Sequence, residues 1–256
     1  MSTLRLALLQ HDIVWEDREA TLDHLDPMIE SAVSQGARLV LATELFAVGF
    51  TMNTEKVGEP EGGPTSEWLS ERAARHGIWL AGSIPEIAPG ADRPANTFVL
   101  AATDGSQTRY AKVHRFSYDT EDQHYAPGAD DITVAIDGVN VTPFVCYDLR
   151  FADRWWAKAP TTDLYVCVAS WPPQRRLHWQ TLLQARAIEN LAYVAGVNRV
   201  GAGDGVEYVG DSRLVAPFGE LIVDGEGAGE TVLIGDVDTD VVAATRARYP
   251  FISDRT

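Results

Sequence analysis

Cys146 stands at the end of an apolar run, in the stretch PFVCYDLRF (143–151), where a strand-like segment gives way at once to polar and charged residues. A strand-to-helix turn presents such a side chain above a sheet edge, and the backbone N–H groups that follow point the same way. Those groups could lower a thiol pKa and hold an oxyanion. A free cysteine is also commonly a small buried hydrophobe, so position alone leaves both readings open. Cys167, the second of two cysteines, is the internal contrast: in LYVCVAS it has apolar neighbours on both sides and reads as core. The two thiols could pair in principle, but a chain of this length needs no disulfide staple, and no CxxC or Cys/His cluster gives a zinc spacing.

A nucleophilic thiol needs a base. Histidine is the usual choice, yet His11, His24, His76, His114, His124 and His178 occupy no distinctive strand end. Two other residues do. Glu44 closes ARLVLATE, and Lys112 closes TRYAK. Burial raises a glutamate pKa and lowers that of a lysine, while each of the two pulls the other back, so a neighbouring pair is poised for proton transfer. Each alone has a plainer alternative, a surface carboxylate or an ordinary edge lysine.

These residues depend on the elements that carry them. LRLALLQ (4–10) reads as a strand. Residues 18–35 read as a helix, with Leu22, Leu25, Ile29 and Val33 three or four apart and Gly36 as the stop. A buried strand at 37–44, a loop at 59–66, a helix from about Thr65 to His76 and a strand at 78–86 follow. NTFVLAA and SQTRYAK form a hairpin about Thr103–Asp104–Gly105, and ITVAI and VNVTPFVC form another about Asp137–Gly138. The segment 113–131 is a long polar and aromatic loop. A helix from about Arg150, a strand at 163–171, a helix at 176–190 and a strand at 192–200 lead into short strands over 206–236, with glycine turns at Gly219 and Gly225. Alternating strands and helices with interspersed hairpins predict an α/β layered fold with mixed sheets. No linker, repeat or low-complexity segment divides the chain, which reads as a single domain over 1–256.

The totals fit that reading. The chain has 256 residues, 45% hydrophobic and 23% charged, enough for a sizeable core. A net charge of −16 repels phosphate backbones and argues against a nucleic-acid partner. The first apolar run breaks at Gln10–His11–Asp12, too early for a signal peptide or a membrane span, so the expected compartment is the cytoplasm.

Three strand-end residues in the order Glu, Lys, Cys resemble the catalytic set of the nitrilase superfamily of carbon–nitrogen hydrolases. The contexts LVLATELFAVGF, YAKVHRF and PFVCYDLRF carry the resemblance. VCYDLRF, LHWQTLLQARAIEN, AYVAGVNRVG and GDSR together resemble the ω-amidase branch, and the likeness runs from LALLQ to the last strands.

The resemblance implies an α-β-β-α sandwich that pairs into a homodimer, in which two subunits build a four-layered stack around the helix after Cys146 and the helix at 176–190. It implies hydrolysis of a linear amide without metal or organic cofactor. Glu44 is then the base, Cys146 the nucleophile, and Lys112 with the backbone N–H of Tyr147 the oxyanion donors. Glu121, nine residues beyond Lys112 and anchored by HYAPG, matches a second family glutamate that orients the lysine and substrate. The branch acts on terminal amides of short α-keto dicarboxylic acids such as α-ketoglutaramate. That substrate carries a carboxylate, so a cation should meet it. In SWPPQRRLHWQ, Arg175 is the choice for this clamp and Arg176 the opening of the helix. Phe116, Tyr125 and Trp171 could wall the pocket or simply pack in the core. Nitrile, N-carbamoyl or aliphatic amide hydrolysis on the same triad, and a catalytically silent binding protein, are the alternatives. The adjacent Trp155 and Trp156 suit either an interface or the core.

Overall fold

The structure, a computed structural model, describes residues 2–255. The chain runs through β1 (Thr3–Gln10), α1 (Arg18–Ser34), β2 (Leu39–Leu41), α2 (Thr54–Val57), β3 (Glu59–Pro60), α3 (Pro64–His76), β4 (Trp79–Ile87), β5 (Ala95–Ala101) and β6 (Gln107–Ala111). It continues through α4 (Glu121–His124), β7 (Val134–Ile136), β8 (Val139–Val145), α5 (Ala152–Lys158), β9 (Leu164–Ala169), α6 (Arg176–Asn190) and β10 (Tyr193–Asn198). β11 (Val200–Gly203), β12 (Val206–Val215), β13 (Leu221–Glu226), β14 (Thr231–Asp238) and α7 (Thr239–Arg248) complete it.

Among the described residues these strands form two seven-stranded mixed sheets. The first is ordered β14-β1-β2-β4-β5-β6 with β3 beside β4, and the second β11-β12-β10-β9-β8-β7 with β13 beside β12. Each has a parallel centre: β1, β2 and β4 in one, β8, β9 and β10 in the other. Such strands are covered on both faces, which is why LVL and LYVCVA are wholly buried and read as unbroken apolar runs. The sheets stack through β1 against β10 and β12, and β5 against β8. Helices α1 and α3 cover the first sheet and α6 the second, giving the expected α-β-β-α sandwich. Leu6, Leu8, Phe98, Phe144 and Val166 belong to one apolar cluster between the sheets, and Leu25, Ile29 and Leu69 bring the helices onto the first sheet's outer face.

Both anticipated hairpins form. Asp137 and Gly138 have φ of 48° and 87°, the left-handed pair that a two-residue turn between right-twisted strands requires. Several boundaries differ. β2 is only three residues long, so Glu44 stands beyond its end. Gly225 lies inside β13 rather than in a turn, and α7 has no counterpart in the sequence reading. The loop at 113–131 contains a 3₁₀ turn and α4. Trp155 is fully buried and donates to the Asp148 carbonyl, whereas Trp156 is 47% exposed. No described helix is long and apolar enough to cross a membrane.

Candidate active site

Glu44, Lys112 and Cys146 follow the ends of β2, β6 and β8, at one end of the sandwich. Left-handed backbone lies at or beside Glu44, Cys146 and Glu121. Leu45, directly after Glu44, has φ 44°; Cys146 itself has φ 46°; Thr120, directly before Glu121, has φ 61°. A non-glycine residue persists there only where its surroundings impose the conformation. At Cys146 the imposing group is Asp148. Its carboxylate is buried and accepts from the Val145 N–H (3.2 Å), the Tyr110 hydroxyl (2.8 Å) and the His114 N–H (2.9 Å). The 3₁₀ turn Cys146–Arg150 therefore starts abruptly, with Tyr147 in its first turn, where backbone N–H groups have no preceding carbonyl to bond.

Lys112 is fully buried between two carboxylates. Its Nζ donates to Glu44 Oε1 at 2.8 Å and to both Glu121 oxygens at 2.9 Å. Asn96 Nδ2 bridges the same carboxylates at 2.9 and 3.2 Å. The second oxygen of Glu44 accepts the Ser170 N–H at 2.9 Å, which ties this first-sheet carboxylate to the loop beyond β9 of the second sheet. Glu121 Oε2 accepts the Phe116 N–H. Burial opposes the charge on Lys112, but Glu121 and Glu44 outweigh it and hold its pKa well above the usual lysine value. Burial raises Glu121, with Lys112 pulling the other way. The Cys146 thiol is pushed well up, by burial first and then by the Glu44 carboxylate, so it rests protonated. Such a thiol reacts only if its proton leaves during attack. Lys112 is fixed from behind as well: its N–H donates to Asn96 O (2.9 Å) and its carbonyl accepts from Gly128 N–H (2.8 Å). A Cβ at Gly128 would collide with the Ala111 carbonyl, which is what the glycine of HYAPG avoids.

A cavity of about 460 Å³, open mouth included, reaches Cys146. Phe116, Trp171 and Arg175 line it as anticipated, together with Phe50, Asp119, Tyr147, Arg150, Ser170, Pro172, Val206 and Tyr208. The guanidinium of Arg175 lies 4.9 Å from the Phe116 ring centre, and that of Arg150 lies 4.8 Å from the Trp171 ring. Arg175 forms no ion pair among the described residues, whereas Arg176 is held by Asp211 at 2.5 Å and Glu226 at 3.0 Å and opens α6. Only the first of these two arginines is left for an anion in the cavity.

The carbon–nitrogen hydrolase family profile matches residues 5–247. The chain belongs to the carbon–nitrogen hydrolase family. It is 39% identical over 255 residues to "Omega-amidase YafV" of Yersinia enterocolitica, covering 99% of this chain and 97% of that protein. It is 28% identical to the 2-oxoglutaramate amidase of Bacillus subtilis, covering 97% and 96%. The crystal structure of XC1258 from Xanthomonas campestris, a CN-hydrolase superfamily protein with an arsenic adduct in its active site, superposes with a TM-score of 0.93 at 34% identity, covering 100% of this chain and 98% of that one. The protein is thus a nitrilase-superfamily enzyme that hydrolyses carbon–nitrogen bonds in amides.

Within this carbon–nitrogen hydrolase, one anticipated wall residue is elsewhere. Tyr125 is fully buried in the apolar cluster of the first sheet, and its hydroxyl donates to Thr51 O at 2.8 Å, so it braces α4 rather than the cavity. Among the described residues no histidine lines the cavity. His114 stacks on Phe151 at 3.6 Å, and His11 bonds Thr43. Cys167 is buried, its Sγ 4.0 Å from the Cys146 carbonyl oxygen. Of the acidic residues clustered at 119–122, Glu121 meets Lys112 and Asp119 lines the cavity; Asn96, Arg150 and Tyr208 were not anticipated as site residues. Asn96 left one signal, an amide inside the strand ANTFVLA, where asparagine is disfavoured.

Proposed function

We propose that this hydrolase is an ω-amidase, releasing ammonia from the terminal amide of short α-keto dicarboxylic acid monoamides of the α-ketoglutaramate type. The observation that carries the reading is Arg175, a guanidinium without an acidic partner in a small aromatic-walled cavity that also holds Cys146. Such a cation suits a carboxylate held at a distance from the scissile amide. The names of the relatives, an ω-amidase and a 2-oxoglutaramate amidase, agree with it.

In this reading Glu44 takes the thiol proton as the sulfur attacks the amide carbon. The C=O electron pair moves onto oxygen, where Lys112 and the Tyr147 N–H stabilise it. Collapse re-forms C=O and breaks C–N, the amine leaves with the proton from Glu44 as ammonia, and a thioester remains. Water, deprotonated by Glu44, cleaves the thioester and returns the proton to sulfur. Glu121 orients Lys112. No step calls on a metal or an organic cofactor. The protonated resting thiol supports a base that works during attack rather than a standing thiolate.

The same reading takes the molecule as a cytoplasmic homodimer, without nucleic-acid or membrane partners. Two unpaired thiols suit a reducing compartment, and Leu177 (72% exposed) and Ile188 on α6 offer apolar surface for a second copy.

Ammonia release from α-ketoglutaramate, N-carbamoyl amino acids, aliphatic amides and nitriles tests the assignment. The expected result is highest kcat/KM on α-ketoglutaramate and none with Cys146→Ala. Preference for a carbamoyl or nitrile substrate would move the protein to another branch.

A further inference from the structure

Tyr208, on β12, lines the cavity that reaches Cys146 and is 9% exposed. Its hydroxyl makes no hydrogen bond to any described residue, yet it is not sealed in the interior among the unpaired buried groups. It shares the cavity lining with Cys146 and Asp119, and burial pushes the phenol up to about 12, Arg199 opposing the rise and negative charge at Glu44, Cys146 and Asp119 adding to it.

The other side of the ring explains its placement. Arg199 is 0% exposed, and its guanidinium lies 4.6 Å from the Tyr208 ring centre. It donates to the backbone carbonyls of Val200 (3.2 Å), Ala202 (3.1 Å) and Ile13 (3.4 Å) and to Asp12 Oδ1 (3.0 Å). Its Nη1 is buried without a partner, and the side chain of Asp12 is half exposed. A buried cation so thinly compensated is costly to keep for packing alone. On the face of a phenol it draws on the electron density of the ring, fixes the ring's plane and favours the hydroxyl as a donor.

We propose that Tyr208 is a specificity-determining residue of this site: its hydroxyl donates a hydrogen bond to an acceptor oxygen at the end of the substrate remote from the scissile amide, with Arg199 stacked behind the ring. This rests on the amidase reading above and adds a second polar contact to that of Arg175. The acceptor is an anionic or strongly polar oxygen, which the terminal carboxylate and the α-oxo group both provide.

Three amides separate the sources: α-ketoglutaramate has both groups, 4-carbamoylbutanoate only the carboxylate, and butyramide neither. The measurement is kcat/KM on each for the wild type and for Tyr208→Phe, which keeps the ring on Arg199. Loss of a hydrogen bond to such an acceptor should cost about tenfold more on α-ketoglutaramate than on butyramide. An equal excess on 4-carbamoylbutanoate identifies the carboxylate as acceptor; an excess confined to α-ketoglutaramate identifies the oxo group. An equal change on all three amides, or no change, overturns the proposal. A wild-type enzyme that ignored α-ketoglutaramate would defeat the ω-amidase assignment instead, and 4-carbamoylbutanoate against butyramide would still decide the role of Tyr208.

Discussion

Lys112 is fully buried between two carboxylates, and it keeps its proton because their charge outweighs its burial. Arg175 has the opposite situation, a cation with no acidic partner facing a cavity. Replacing it should therefore be felt by the substrate's charge and little by the fold. Arg175→Ala is expected to raise KM for α-ketoglutaramate by about 10- to 100-fold, the range of a charge-assisted hydrogen bond, and far less for a neutral amide such as butyramide. Equal effects on both would remove Arg175 from the carboxylate role. The residues that sequence brought forward share one property: Glu44, Lys112 and Cys146 each close a strand-like segment, and an ionisable group there is visible without a structure. Asn96 and Tyr208 do not share it. They meet the site only because β5 and β12 are packed beside it, a relation that spacing along the chain does not record. Tyr125 misled for a related reason, since an aromatic ring near a site residue in sequence has two sides on which to fall.

The elements hold these side chains by ending sharply. Left-handed backbone at a non-glycine residue costs about 1–2 kcal/mol, and Cys146 carries that cost at the end of β8. Glycine has no such penalty, though it loses more freedom on folding. Cys146→Gly is accordingly expected to be more stable than Cys146→Ala by about 1 kcal/mol, seen as a melting temperature roughly 2–4 °C higher. An alanine variant melting at or above the glycine variant would show that the turn stores no strain. Strands and helices with a clear period were legible: α6 spans the anticipated 176–190, and both Asp-Gly hairpins form. α7 was not legible, because among its buried residues only Val242 faces the core and no apolar stripe repeats along it. The short extent of β2 was hidden too. The apolar residues of ARLVLATE are buried whether or not they pair, so composition alone did not show where the ladder stops.

Across the whole molecule, His11 joins the end of β1 to both sheets. It is fully buried, its Nδ1 bonds Asp12 O at 2.7 Å, its Nε2 meets the Thr43 hydroxyl at 3.0 Å, and its carbonyl accepts from Val200 N–H. Burial lowers its pKa to about 4 from an ordinary 6.5. The native state then binds fewer protons than the unfolded chain between those values, so stability falls as pH drops through about 6.5 to 4, by up to roughly 3 kcal/mol. His11→Asn should flatten that part of the stability–pH curve measured by denaturant unfolding, and an unchanged slope would assign the acid sensitivity to other groups. The net charge of −16 acts over a longer range than any of these contacts. An ω-amide enters as a monoanion, drawn inward by the guanidiniums of Arg150 and Arg175 near the thiol. Hydrolysis turns it into a dianion once the new acid gives up its proton, and the ammonia takes that proton and departs as ammonium. The surrounding field therefore repels the acid product about twice as strongly as it repelled the amide, and turnover is biased towards clearing the site by a charge the reaction itself creates.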